Sequence, residues 1–232
     1  ELAEQADVPA IHAARERELK HLAQELKDDL LACYQRNRQQ GDYQLGPDAI
    51  ARRSLCNTAL GWLMSIDDER ARELALEQFR SADNMTDRLG ALRALVNSGF
   101  AADREQALES FYQRFSDAPQ VVELWFSVQA SSGQAGQLPH ILKLLEHPAF
   151  DWKNPNKVRS VVGVFAGQNL AAFHNPDGSG YQFLAGQVCR LDDSNPQIAS
   201  RLVTPLTRWR KFAPAYSSQM KAALEGIRDK DN

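Results

Sequence analysis

Cysteine is scarce in this sequence: Cys33, Cys56 and Cys189 are the only three in 232 residues, and none stands in a C-x-x-C pair. An odd number at wide spacing excludes a disulfide framework and fits a reducing compartment, so a cytoplasmic location is expected. Long apolar runs are missing too. No stretch of about 18 apolar residues occurs and no N-terminal segment has a signal-peptide core, so no membrane span is expected. Charge of one sign is also lacking. With 27 basic against 30 acidic residues the formal net charge is -3, which supplies no overall field for nucleic acid, and no nucleic-acid partner is expected. Asn-Gly pairs and sustained period-two alternation are absent as well, which argues against a sheet.

What is present is helical spacing in a globular composition, 43% of the residues being apolar. Leu19, Leu22, Leu26, Leu30 and Cys33 form one stripe of a long helix ending before Gly41. Leu74 with Phe79, Leu89 with Leu92 and Val96, Leu108 with Phe111 and Phe115, and Val121 with Leu124, Trp125 and Val128 mark further helices. Ile141, Leu142 and Leu145 mark another, and Met220, Ala223, Leu224 and Ile227 close the series. Val158 to Phe165 is valine-rich, yet Val158, Val161, Val162 and Phe165 keep the helical period after an Asn154-Pro155 start, so helix is expected there too. Asn195-Pro196 is a second start of that kind, Gly46-Pro47 and Asp117-Ala118-Pro119 are looser ones, Asn84 with Asp87 resembles a capping box, and Asn97-Ser98-Gly99 reads as a stop.

Between Asp67 and Ala130 the predicted helices recur every 16 to 18 residues, so helix pairs repeat at roughly 34. The tetratricopeptide signature is missing. The expected fold is therefore all-α, an α-solenoid of stacked antiparallel helix pairs of the irregular HEAT or armadillo-like kind, forming a single domain over residues 1–232. Such stacks present concave surfaces, which favours binding or shaping another surface over chemistry.

The residues with chemistry to offer are few. His140 and His147 are seven apart, about 10 Å on a helix, whereas a zinc–nitrogen bond is about 2.1 Å. No H-E-x-x-H occurs, and no metal site or catalytic motif is expected in these residues. Asp177-Gly178-Ser179-Gly180 lacks both the nucleophile-elbow frame and a P-loop lysine, and reads as a turn before a helix near Tyr181. The one basic stretch free of acidic residues, 199–212, carries Arg201, Arg208, Arg210 and Lys211. Arg201 lies beside the apolar stripe of its helix, and Arg159 shares a face with Gly163 and Ala166. By spacing alone these two arginines either snorkel or pair with a core-edge carboxylate, or else line an internal cavity and meet an anionic group such as a carboxylate.

Several segments occur together and in order: Asp83-Asn84-Met85-Thr86-Asp87, Trp125-Phe126 with Gln129-Ala130, Asn154 to Ser160, Phe165-Ala166-Gly167, Ala172-Phe173-His174, Asp177 to Tyr181, and Asn195 to Leu202. Together they resemble the C-terminal helical domain of the bacterial aminopeptidase N family, gluzincin zinc peptidases, over about Leu19 to Ile227. The resemblance implies an accessory domain of an exopeptidase that removes N-terminal residues from peptides. Zinc and the exopeptidase motif would belong to a catalytic domain of the same polypeptide outside these residues, so no cofactor is expected here and the fragment by itself would be inactive. The ragged acidic start and the Asp231-Asn232 end would be edges of the larger enzyme. In the family this domain closes a chamber that admits peptide substrates but not folded proteins. Arg159 and Arg201 stand at motif positions whose arginines face that chamber, either on a peptide's C-terminal carboxylate or across the domain interface. The alternative is a free-standing helical-repeat scaffold that holds a protein or peptide in its groove.

Overall fold

The structure, a computed structural model, describes residues 5–39, 41, 43–134 and 136–230. Among them no strand forms; Ala6 and Phe212 make an isolated bridge, and everything else regular is helix. No helix among the described residues is long and apolar enough to cross a membrane. The chain divides into two compact units, one of Arg15–Phe115 and one of Glu1–Ala14 with Ser116–Asn232.

In the first unit, α1 (Val8–Glu25, whose start belongs to the other unit) is followed by α2 (Lys27–Asn37), α3 (Pro47–Met64), α4 (Glu69–Ser81), α5 (Met85–Val96) and α6 (Ala101–Phe115). Neighbours pack in succession, α2 on α3, α4 on α5, α5 on α6, with α3 also on α5, the pattern of a helical-repeat solenoid. The starts of α4, α5, α6 and the next helix, α7 (Pro119–Ser131), fall 16, 16 and 18 residues apart, as the punctuation predicts. Asp68 caps α4 by accepting from the Ala71 amide at 2.9 Å, and Asn84 caps α5 by accepting from the Asp87 amide at 2.9 Å. The capping box is only half made, because Asp87 reaches back to the Asn84 side chain rather than to its backbone. The core is Leu60, Leu63, Leu92, Leu95 and Phe111, each removed from water and each stabilising by roughly 1.5–3 kcal/mol.

Two details of this unit differ from expectation. The single long helix over Leu19 to Cys33 is broken at Leu26, whose φ of -100° and ψ of 17° leave the helical region. Its apolar stripe is not the packed face: Ala23, Leu31 and Tyr34 are buried instead, while Leu22 and Leu26 remain 44% and 40% exposed. Gly99 does follow the end of α5, but the reason for glycine is tertiary. The Asp67 carboxylate accepts its amide at 2.6 Å and occupies the space a Cβ would need. Asp67 itself has a φ of 53°, a left-handed conformation that aspartate tolerates better than most residues.

The second unit is less regular. After α7 come α8 (Leu138–Leu145) and a continuous helix from Pro155 to Gln168 made of α9 (Pro155–Val158), a π segment (Arg159–Gly163) and α10 (Val164–Gln168). Then follow α11 (Leu170–Phe173), α12 (Ser179–Asp192), α13 (Pro196–Leu202), α14 (Thr204–Thr207), a 3-10 turn (Trp209–Lys211) and α15 (Pro214–Lys230). Val158, Val161, Val162 and Phe165 are all fully buried, so the valine-rich segment is a core helix as its spacing predicts. α12 packs on both α13 and α15, and Phe173, Tyr181, Leu184, Leu206 and Met220 complete the core.

Candidate functional site

The two arginines singled out by the sequence both belong to the second unit. Asn154 starts the first of their helices, its Oδ1 accepting from the Asn156 and Lys157 amides at 2.9 and 3.3 Å, with Pro155 at the first helical position. Burial then sorts the side chains. Lys157 turns inward, its Nζ donating to the Ala149 carbonyl at 2.5 Å and lying 5.6 Å from the Phe126 ring centroid, and Ser160 donates to the Lys157 carbonyl at 2.8 Å. Asn156 and Arg159 face outward, and Arg159 Nη1 donates to Asn156 Oδ1 at 3.0 Å. Arg159 opens the π segment, a wide turn of the sort often found at functional positions.

Arg201 sits in the last turn of α13, where a cation complements the helix C-terminus. Asn195 caps that helix through the Ile198 amide at 3.2 Å, and Ile198, Ala199 and Leu202 form its buried side, which leaves Arg201 exposed. The two helices meet at Gly163: a Cβ there would lie 3.6 Å from Leu202 Cδ2 and 3.8 Å from Arg159 Cβ. The structure thus sets the Leu202 side chain, next to Arg201, on the helix turn that follows Arg159. Neither arginine forms an ion pair among the described residues, so pairing with a core-edge carboxylate of this chain is not seen. Both are exposed, and a guanidinium is a group that binds a carboxylate with two parallel hydrogen bonds.

The other motif residues act on the fold. Asp177 Oδ1 accepts from the Ser179 amide at 2.8 Å and Gly178 takes a φ of 72°, so Asp177 to Gly180 is the turn into α12 that the sequence suggests. Gly180 is needed because a Cβ would collide with the Phe173 carbonyl. His174 and Tyr181, both buried, share a hydrogen bond of 2.8 Å between Nδ1 and the phenolic oxygen. Burial alone pushes the His174 imidazole down to about 4. His147 falls beyond the end of α8 rather than on it, against the rings of Trp125 and Phe126, while His140 bonds Gln129 Oε1 at 3.0 Å. Among the described residues no group of three or more His, Cys, Asp or Glu side chains comes together to hold a metal.

Sequence reasoning missed Asn169. Its Oδ1 caps α11 through the Ala172 amide at 3.1 Å, and its Nδ2 donates to the carbonyls of Ala130, Ser132 and Gly136 at 3.1, 3.0 and 2.9 Å. The one local signal for it is an Asn just before the apolar run Leu170 to Phe173.

Compared with known proteins, the whole chain, residues 1–232, matches the family described as "Domain of unknown function (DUF3458_C) ARM repeats". The chain belongs to this ARM-repeat family. Within it, aminopeptidase N of Escherichia coli (strain K12) is 39% identical over 232 residues, which is 100% of this chain and 26% of that protein. Aminopeptidase N of Caulobacter vibrioides is 38% identical over 226 residues, 97% of this chain and 26% of that protein. Among solved structures, Legionella pneumophila aminopeptidase A in complex with aspartic acid superimposes with a TM-score of 0.87 at 28% identity, over 98% of this chain and 28% of that one. The ARM-repeat domain therefore spans about a quarter of the length of the curated relatives it matches. These matches bear out the resemblance to the C-terminal domain of aminopeptidase N, and with it the all-α solenoid class.

Proposed function

We propose that residues 1–232 act as one accessory domain of a cytoplasmic, zinc-dependent aminopeptidase, closing over an active-site chamber supplied by the catalytic domain of the same polypeptide. The domain restricts entry to peptides, and the parent enzyme removes their N-terminal residues. The observation that carries this reading is the full-length match to a quarter of aminopeptidase N at 39% identity. The exposed apolar side chains Leu45, Ile50 and Leu55 support it, since large uncovered apolar groups favour burial against a further surface. In this reading Arg159 and Arg201 face the chamber and orient the C-terminal carboxylate of the peptide.

Two experiments test it. The purified chain, incubated with zinc and an aminoacyl chromogenic substrate, shows no turnover; turnover that follows the chain through purification overturns the accessory role. In the full-length parent, Arg201→Ala raises KM for peptides with a free C-terminal carboxylate about tenfold and leaves C-terminally amidated peptides unaffected, the loss of one charged hydrogen bond. Unchanged kinetics with unchanged thermal stability removes Arg201 from the proposal.

A further inference from the structure

In the unit of residues 15–115, a cavity of about 170 Å³ lies among α2, α3, α4 and α5 and the segment before α3. One of its walls holds Arg53, only 4% exposed. Arg53 Nη1 donates to Gln39 Oε1 at 2.8 Å and to the Gln44 carbonyl at 2.9 Å, and the Tyr43 ring centroid lies 4.8 Å from Cζ. All three partners are neutral. Nε and Nη2 have no partner among the described residues, and no carboxylate there lies within the 4.0 Å of an ion pair. A buried guanidinium ordinarily meets an anion, because taking the charge out of water is otherwise unfavourable.

The complementary group lines the same cavity. Asp87, half-buried, accepts only from amides, Asn57 Nδ2 at 3.0 Å and Asn84 Nδ2 at 2.8 Å, and has no cation within ion-pair distance among the described residues. The walls are set in advance. Gln78, 5% exposed, donates to Asn57 Oδ1 at 2.7 Å and the Asp87 carbonyl at 2.8 Å, and accepts from the Tyr34 hydroxyl at 3.1 Å. Among the described residues lining the cavity, Arg38 is paired with Glu77, Arg53 is a cation without an anion, and Asp87, with the exposed Asp83 near it, is an anion without a cation; held in a fixed polar cavity, these match a ligand carrying both charges. The size limits it: sites for drug-sized ligands hold roughly 300–1,000 Å³, so this one suits a much smaller molecule.

We propose that this cavity binds a free α-amino acid, with its carboxylate on Arg53 Nε and Nη2 and its ammonium toward Asp87. The assignment rests on charge and size, and stands or falls separately from the accessory role proposed above.

The test is a titration of the ¹⁵N-labelled chain with L-alanine, with acetate and methylammonium as one-headed controls. L-alanine shifts resonances of Asn37, Arg53, Gln78 and Asn84 saturably, with half-saturation at roughly millimolar concentration, as befits a ligand of few atoms. Acetate and methylammonium bind at least tenfold more weakly, and Arg53→Gln and Asp87→Asn each weaken L-alanine by a similar factor. No saturable shift at these residues in the unsubstituted chain overturns the site, whatever the variants do. An equal response to acetate overturns the two-headed assignment.

Discussion

The stack from α3 to α6 and the run from α8 to α15 are built from the same element in two different ways. The first has helices of 12 to 18 residues, ordinary caps and a core of leucines and a few aromatic rings. The second has helices as short as the four residues of α11 and α14, a π segment and turns held by side chains. Where a helix is long, its apolar face secures it, and a cap adds only a modest increment. Where it is four residues long, backbone groups are left over at both ends and polar side chains must satisfy them. Asn169 does so for α11, and Asn154, Asp177 and Asn195 accept from the first amides of the longer helices around it. The segments that carry the family resemblance crowd into that region for the same reason: an irregular backbone accepts few residue types.

This contrast predicts a ranking of effects. The largest is Asn169→Ala, which strips a helix cap and takes the side-chain donor from the buried Ala130 and Gly136 carbonyls, Ser132 keeping the Gly136 amide; unfolding by denaturant should show a loss of about 3–5 kcal/mol. A loss below about 1 kcal/mol would break the claim that side-chain clamps hold the short helices. Next is pH. His174 is neutral in the fold, with its pKa lowered to about 4, so the unfolded chain binds more protons between there and about 6.5. The stabilisation is fully present above about pH 6.5 and is lost as pH falls toward 4. At pH 5 that amounts to about 2 kcal/mol, read as the extra destabilisation of the native chain relative to His174→Asn when both are compared with pH 7.5.

Gly180→Ala comes third. Its Cβ would meet the Phe173 carbonyl, a backbone atom that cannot swing aside, and overpacking of this kind costs about 1–3 kcal/mol. The smallest effect belongs to the regular stack: Asn84→Ala removes the α5 cap and should cost about 1 kcal/mol, visible as a few degrees in Tm. If this last change proved as damaging as Asn169→Ala, the distinction between the two regions would disappear.

How much of this was legible depended on the range of the interaction. Helix starts at Pro47, Pro119, Pro155 and Pro196 follow from caps and proline within a few residues, and the core of Val158 to Phe165 follows from a period of 3.6. The stripe from Leu19 to Cys33 obeyed the same period and still misled, since periodicity reports an apolar face and not what covers it. At Arg159 and Arg201 spacing placed both residues beside the apolar faces of their helices, while their exposure and the contact of their helices at Gly163 required the folded chain.

Local pattern, readable from the residues alone, determined the helical class, the repeat interval of the first stack and the family. Tertiary structure decided which polar groups meet. Asn169 reaches carbonyls 33 to 39 residues away, Asp67 fills the space beside Gly99, and Arg53 and Asp87 come to one cavity from different helices. The physical reason is that caps and periodicity act within one or two helical turns, whereas these partners become neighbours only after apolar packing has set the helices against each other.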